Sequence, residues 1–197
     1  RLLAQMHHPH MAGFGRGLFL PMPDQGPADL AVQMENDHDG IFLAQPHSGG
    51  RIYETGPLAR MAWHPVVASL LGEFGPGLLA RLTARLVEVA SSLQEMAGLV
   101  QDLKSDPMPS ACVVDGAGLG LVEAARGLLA HRVELEGGRV KRYQILAPTE
   151  WNFHPEGPLV RGLRGAAADS DLERRATLLV HALDPCVACH VVVENYA

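Results

Sequence analysis

Cysteine, aromatic residues and surplus positive charge are all scarce in this chain of 197 residues. Its three cysteines are too few, and odd in number, for the disulfide framework of a secreted domain, so we expect a reducing cytoplasm. Lys and Arg total 16 against 22 Asp and Glu, and the net charge of −6 leaves no surplus to neutralise phosphates. Aromatic residues make up only 5%, which is little for base stacking. A nucleic-acid partner is therefore disfavoured.

Long apolar runs are absent as well, and no stretch reaches the length that a membrane span requires. Hydrophobic residues nevertheless make up 47% of the chain, which is enough for a folded core. The length predicts a single domain over residues 1–197. Glycine and proline predict irregular structure over 1–28. Because the first residue is Arg1 and not Met, we expect a C-terminal fragment of a longer chain.

Helical periodicity is strongest between Pro76 and Asp106, where apolar residues recur at alternating steps of four and three. This stripe consists of Leu82, Leu86, Val89, Leu93, Met96, Val100 and Leu103. Such a stripe is typical of a helix face that is buried in a core or against another helix. A shorter helix is predicted over 65–71. A final helix is predicted from the capping-box pattern of Ser170 and Glu173 to Asp184, which precedes a proline.

Two glycine pairs predict β-hairpins, one over 40–54 and one over 129–147. The stretch 107–127 between the long helix and the second hairpin is interpreted as turns because it is rich in Pro, Ser and Gly. A further stretch, 147–155, is predicted to be an ordered loop. Together these elements predict an α+β fold in which a helical bundle packs with two β-hairpins.

The pair Cys186 and Cys189 follows the final helix, and as thiolates the two side chains suit iron, nickel or zinc. A structural zinc would need four ligands, and no second pair of this spacing is present. A thioredoxin-like redox pair would need a helix and strands after the motif. The pattern ending at His190 also matches the attachment site of a c-type haem, which belongs with export, and no export signal is seen.

A fourth explanation comes from resemblance. The segment 184–189 (DPCVAC) resembles the C-terminal signature of nickel–iron hydrogenase large subunits. Three upstream segments resemble the same family in the same order: 54–61 (ETGPLARM), 123–127 (EAARG) and 148–152 (PTEWN). Several short motifs in the correct order are far more specific than any one of them. The fold is therefore expected to resemble the C-terminal part of such a large subunit.

In that family the last cysteine pair binds an iron that carries cyanide and carbon monoxide, with nickel alongside. The resemblance implies that Cys189 bridges to iron and that Cys186 is mainly a nickel-side thiolate. It also implies that Arg126 lies beside the diatomic ligands and that Pro148 and Thr149 line the cyanide pocket. Metal-bound cyanide is an anionic acceptor, so a guanidinium and a hydroxyl are suitable donors. The alternatives are a surface salt bridge for Arg126 and an ordinary turn for Thr149.

Two histidines are further candidates near this site. His131 contacts the metal's surroundings in one interpretation and is a core histidine with satisfied hydrogen bonds in the other. Three roles stay open for His190: it binds the metal, it donates to the metal's ligands, or it is merely exposed.

Three departures from the family pattern point away from catalysis. Large subunits carry a second, N-terminal cysteine pair, whereas no cysteine precedes Cys112 here. Val192 stands where the family has the His at which a maturation protease cuts, and Ala125 replaces a proline. Two thiols complete only half of a four-thiolate site. This pattern is similar to the HupK/HoxV-type paralogues, which are thought to be scaffolds in cofactor assembly. The run 147–159 is similar to the same subgroup.

We therefore expect an accessory protein of nickel–iron hydrogenase maturation that holds an iron with cyanide and carbonyl ligands on Cys186 and Cys189. The expected partners are the small iron-delivering maturation chaperone and the hydrogenase large subunit. One alternative is the C-terminal part of a catalytic large subunit, which oxidises hydrogen and also holds nickel. Another is a structural domain whose site holds no metal.

Overall fold

A computed structural model of the chain describes residues 8–24, 26–101, 112–114 and 116–194. The helices are α1 (Pro9–Ala12), α2 (Leu30–Asn36), α3 (Ile41–Ala44), α4 (Pro57–Met61), α5 (Pro65–Phe74), α6 (Leu78–Gln101), α7 (Pro148–Asn152), α8 (Pro158–Leu163) and α9 (Leu172–Leu183). The strands are β1 (Cys112–Val114), β2 (Ala117–Ala124), β3 (Gly127–Glu136) and β4 (Arg139–Leu146). The α+β prediction is therefore confirmed. None of the described helices combines the length and apolar character that crossing a membrane requires.

The four strands form one antiparallel sheet in the order β1-β2-β3-β4. The predicted hairpin over 129–147 is confirmed as β3 and β4, joined through Gly137 and Gly138, which both have positive φ. The interpretation of 107–127 as turns is wrong for β1 and β2, while residues 107–111 and 115 lie outside the described part of the chain. The glycines of β2 interrupt its apolar alternation, so periodicity does not reveal the strand. One face of the sheet packs on a core cluster that includes Leu128, Leu146 and Trp151.

The predicted hairpin over 40–54 is wrong. The backbone N–H groups of Phe42 and Leu43 donate to the Asp37 carboxylate over 2.9 and 3.2 Å, and this contact favours the short helix α3. The glycine turn forms, but only as an isolated bridge between Ser48 and Arg51. A local carboxylate has thus outweighed the strand propensity of the apolar residues.

The long helix is confirmed as α6, and residues 102–106 of its predicted range lie outside the described residues. Its first turns are buried, with Leu78 and Ala84 both 0% exposed. The prediction that its whole apolar stripe is buried is wrong, because Leu93 and Val100 are 64% and 68% exposed. Periodicity identifies the helix, but it does not say how far along the helix its packing partners reach.

The final helix, α9, ends before Asp184 as predicted. Its N-cap is Asp171, and no side chain caps it, so the capping box of Ser170 and Glu173 is wrong. Helix α5 is confirmed and extends to Phe74. In the region 1–28 the described residues are irregular apart from α1, while residues 1–7 and 25 lie outside the described part. The stretch 147–155, predicted to be a loop, contains the short helix α7.

Candidate metal-binding site

The two C-terminal thiols lie just beyond the end of α9. Asp184 adopts a left-handed conformation with φ of 53°, and the proline after it disfavours further helix. Cys186 and Cys189 are free and exposed, and the Cys189 Sγ lies 3.5 Å from the carbonyl oxygen of Val187. The side chain of Cys112 lies outside the described residues. Both thiols of the predicted pair are thus open to a ligand or a partner.

Arg126 contacts the chain immediately before these thiols. Its Nε donates to the carbonyl oxygen of Asp184 over 3.1 Å and lies 3.4 Å from that residue's carboxylate. Asp184 is two residues before Cys186, so Arg126 lies at the start of the cysteine segment. The salt bridge considered as the alternative for Arg126 is also present, since the same contact includes the Asp184 carboxylate.

A second arginine, which the sequence analysis does not single out, holds the same helix end. Arg85 of α6 donates to the carbonyl oxygen of His181 over 2.8 Å, and its guanidinium lies 3.4 Å from the Asp184 carboxylate. The last carbonyls of a helix lack intrahelical donors, so this contact satisfies one of them. The only sequence signal for Arg85 is its place away from the apolar stripe of α6, which says nothing about α9.

The turn that carries Arg126 is fixed by Arg60 of α4. The Arg60 guanidinium binds the Glu88 carboxylate of α6 at 2.5 and 3.0 Å. It also binds the Glu123 carboxylate and donates to the carbonyl oxygen of Ala125 over 3.1 Å. One side chain therefore connects α4, the middle of α6 and the residues just before Arg126.

Thr55 fixes the other side of this turn. Its Oγ1 accepts a hydrogen bond of 2.9 Å from the backbone N–H of Leu128. A Cβ on Gly127, whose φ is +132°, would lie 2.4 Å from that hydroxyl oxygen, so only glycine fits there. The segments 54–61 and 123–127, far apart in sequence, are therefore in direct contact.

Asn152 joins the third segment to the same point. Its Oδ1 accepts from the backbone N–H of Thr55, and its Nδ2 donates to the Thr55 carbonyl oxygen, both over 3.0 Å. Asn152 is 2% exposed and Thr55 is 4% exposed. We call the contact region formed by residues 54–60, 123–128 and 148–152 the junction.

Pro148 and Thr149 belong to the junction through α7, the helix that also carries Asn152. Pro148 is buried at the first position of the helix, where a missing N–H costs nothing, and Thr149 is half-buried. Burial raises the pKa of the adjacent Glu150 carboxyl above its ordinary value. The contacts of Asn152 thus connect the helix of Thr149 with the turn of Arg126.

A buried ion pair fixes Glu54, the first residue of the junction. The Arg81 guanidinium binds the Glu54 carboxylate through two hydrogen bonds of 2.8 Å. The two side chains are 4% and 3% exposed, and Arg81 also donates to the carbonyl oxygen of Gly15 over 3.0 Å. A bidentate pair of this kind fixes orientation as well as distance.

The two candidate histidines differ in their surroundings. His131 lies half-buried in β3, and its Nδ1 is 2.5 Å from the hydroxyl of Tyr143 on β4. His190 is exposed in the tail. Among the described residues, no group of three or more His, Cys, Asp and Glu side chains could hold a metal ion. The described donor set therefore offers two thiols and does not fit a resident metal with four protein ligands.

Comparison with known proteins gives one consistent result. The family model described as nickel-dependent hydrogenase matches residues 22–192. The chain is 41% identical over 183 residues to the hydrogenase expression/formation protein HupK of Rhizobium leguminosarum bv. viciae, covering 90% of this chain and 47% of the relative. It is 31% identical to the uptake hydrogenase large subunit of Azotobacter chroococcum mcd 1, covering 64% of this chain and 24% of that protein.

The fold has solved counterparts. A [NiFeSe] hydrogenase variant from Desulfovibrio vulgaris Hildenborough matches with a TM-score of 0.59 and 28% identity, over 72% of this chain and 36% of that chain. The hydrogenase expression/formation protein HoxV of Cupriavidus necator is 36% identical, over 81% of this chain and 42% of that protein. The chain spans about half the length of the curated accessory relatives that it matches.

Proposed function

The chain belongs to the nickel-dependent hydrogenase family, and on that premise we propose that it is an accessory protein of nickel–iron hydrogenase maturation. It holds an iron unit that carries cyanide and carbon monoxide on Cys186 and Cys189, and passes this unit to the hydrogenase large subunit. Relatives named as hydrogenase expression/formation proteins reach 41% identity, whereas the uptake hydrogenase large subunit of Azotobacter chroococcum mcd 1 reaches 31%. This difference supports an accessory role.

One observation carries the proposal: the four segments that resemble the family lie in a continuous chain of contacts. Asn152 binds Thr55, and Thr55 binds the residue two positions after Arg126. Arg126 in turn donates to Asp184, at the start of the cysteine segment. Contacts among segments this distant in sequence support a shared site.

The donor set favours a transferable metal fragment as cargo. Two thiolates are few ligands for a resident metal, but an iron that brings its own diatomic ligands needs few from the protein. Both thiols are exposed, so a donor or an acceptor protein can reach the cargo. Thiolate binding competes with protons, which gives a route to release.

The surrounding residues have separate roles in this proposal. The Nε of Arg126 is engaged with Asp184, which leaves its terminal N–H groups to donate to the anionic cyanide. Pro148 and Thr149 line the cyanide pocket from α7, with the Thr149 hydroxyl as a second donor. His190 lies beside the cargo in the tail. His131 has its own partner in Tyr143 and contributes less.

The proposed partners are a small iron-delivering maturation chaperone and the large subunit, and the proposed location is the cytoplasm. Infrared spectroscopy of protein purified anaerobically from a host with the maturation machinery tests the cargo. We expect cyanide and carbonyl stretching bands in the natural protein and in Cys112→Ser, and none in the double variant Cys186→Ser/Cys189→Ser. Bands that survive the double substitution would contradict the proposal, as would their absence from the natural protein.

The likeness to solved [NiFeSe] hydrogenases favours a second candidate, the C-terminal part of a catalytic large subunit. That candidate predicts nickel alongside iron and hydrogen oxidation with an artificial electron acceptor. Metal analysis and a hydrogen-uptake assay on the same preparation separate the two. Iron without nickel and without hydrogen uptake supports the accessory role.

A further inference from the structure

A basic cleft lies apart from the cysteine segment, between the loop after α1 and the residues that follow α8. Its volume is about 440 Å³, and four basic side chains line it, namely His10, Arg16, Arg164 and Arg175. Glycines 13, 15, 162 and 165 line the rest, together with Phe14, Ala166 and Ala167. We call this region the arginine cleft. Nothing in the proposed iron-carrier role uses it.

Arg175 is the buried member of the cleft. It is only 9% exposed, and its guanidinium carbon lies 4.9 Å from the centre of the Phe14 ring. One terminal nitrogen donates to the Asp169 carboxylate over 2.7 Å and to the Ala167 carbonyl oxygen over 3.1 Å. Within the described part of the chain, its Nε is buried without a hydrogen-bond acceptor. A buried donor without an acceptor is costly, which indicates that an acceptor is missing.

The other two arginines lie at the exposed rim. Among the described residues, neither the Arg16 nor the Arg164 side chain forms an ion pair or a hydrogen bond. Unpaired guanidinium groups around one cleft repel each other, and the chain as a whole carries a net charge of −6. Concentrated positive charge in an acidic protein points to an anionic ligand.

The charge balance selects the class of anion. Three guanidinium groups and the one carboxylate that binds Arg175 leave a net charge of about +2, which a phosphate group of about −2 neutralises. Guanidinium forks match phosphate oxygens in a bidentate manner. The close approach of the loop after α1 to helix α8 also depends on glycine, because a Cβ on Gly162 of α8 would lie 2.7 Å from the Gly15 carbonyl oxygen.

We propose that the arginine cleft binds a phosphate group, either as free phosphate or as part of a small phosphorylated molecule. The phosphate oxygens accept from Arg16 and Arg164 at the rim and supply negative charge beside Arg175. This inference does not depend on the iron-carrier proposal.

Isothermal titration with inorganic phosphate and with adenosine monophosphate tests the proposal. We expect saturable binding of at least one of the two, weakened about tenfold or more in Arg16→Gln and in Arg164→Gln. Arg139→Gln, which changes an exposed arginine on the β3–β4 hairpin, is the matched control and leaves the affinity unchanged. Both rim positions are exposed, so the variants keep the fold, which a thermal melt checks. Tighter binding of the nucleotide identifies a larger phosphorylated ligand, and equal affinities identify free phosphate.

A second readout follows the buried arginine directly. In a nitrogen-15 spectrum centred on arginine Nε, the Arg175 signal shifts on addition of the bound probe in the natural protein, and the shift requires higher concentrations in Arg164→Gln. The proposal is overturned if neither probe saturates, or if Arg139→Gln weakens binding as much as the rim variants do. It is also overturned if citrate at the same ionic strength binds as tightly, because the cleft then accepts any polyanion.

Discussion

The junction and the C-terminal tail are neighbours with opposite properties. At the junction Thr55 and Asn152 are almost fully buried, and they are joined by two hydrogen bonds of 3.0 Å. In the tail Cys186 and Cys189 are exposed and free. Buried contacts thus fix the side chains of the junction, whereas the two thiols of the tail are open to solvent.

Asp184 is the link between the two regions. Arg126 from the junction and Arg85 from α6 both approach its carboxylate at 3.4 Å. Partly exposed pairs of this length contribute little to stability. The link therefore contacts the start of the tail without burying the thiols, which is compatible with the proposed transfer of cargo.

The largest effect on the free energy of unfolding is expected at the buried ion pair of Glu54 and Arg81. Arg81→Met leaves the Glu54 carboxylate buried without its partner, which lowers the free energy of unfolding by about 3–5 kcal/mol. Urea denaturation measures this loss. The double variant Glu54→Leu/Arg81→Met removes both charges and recovers much of it. A loss below about 1 kcal/mol in the single variant would show that the pair does not support the junction.

A smaller loss is expected at the contact between segments. Asn152→Ala leaves the backbone N–H and carbonyl of Thr55 without partners, which costs about 2 kcal/mol. Asn36→Ala, at an exposed position in α2, is the control and changes the free energy of unfolding by less than about 0.5 kcal/mol. Equal effects of the two substitutions in urea denaturation would argue against the junction as a fixed region.

A substitution at Asp184 is expected to affect cargo retention more than it affects stability. Asp184→Asn keeps a residue type that tolerates positive φ but removes the charge between Arg85 and Arg126. The expected cost in stability is below about 1 kcal/mol, whereas iron is lost faster during gel filtration of loaded protein. Metal analysis of the eluted protein measures retention. Retention equal to that of the natural protein would show that the link does not position the thiols.

His154, which lies beside the junction, makes the free energy of unfolding depend modestly on pH. Burial lowers the pKa of its imidazole below the ordinary value of 6.5, and its Nδ1 accepts from the backbone N–H of Glu156. Between the lowered pKa and 6.5 the unfolded chain binds more protons than the folded one, so stability rises with pH across this window. His154→Gln removes that part of the rise, which urea denaturation at several pH values detects. An unchanged pH profile in this variant would assign the rise to other groups.

The smallest effect on stability is expected in the tail itself. Cys186→Ser/Cys189→Ser changes only exposed side chains, so the free energy of unfolding shifts by less than about 0.5 kcal/mol. Urea denaturation of metal-free protein is the measurement. A shift comparable to that of Asn152→Ala would mean that the tail contributes to the folded core.

Sequence reasoning succeeded where a single local feature decides the structure. Pro185 predicts the end of α9, and the pair Gly137 and Gly138 predicts the second hairpin. It failed where a distant or unexpected partner decides. The Asp37 carboxylate converts a predicted strand into α3, and the exposed end of α6 has the same periodicity as its buried start.

Some residues of the candidate site could likewise be found from the sequence, and others could not. Resemblance selected Arg126, and the structure joins Arg126 to the cysteine segment. Periodicity and spacing do not reveal that Arg85 holds the end of α9, or that Asn152 holds Thr55, because neither contact leaves a local pattern. The roles of Pro148, Thr149, His131 and His190 beside the cargo stay predictions.

Iron K-edge X-ray absorption of anaerobically loaded protein decides whether two thiolates hold the iron, because it counts the sulfur atoms bound to the metal. We expect two sulfur ligands, from Cys186 and Cys189, together with short bonds to the carbon atoms of the diatomic ligands. An iron with four sulfur neighbours, or with none, would contradict this expectation.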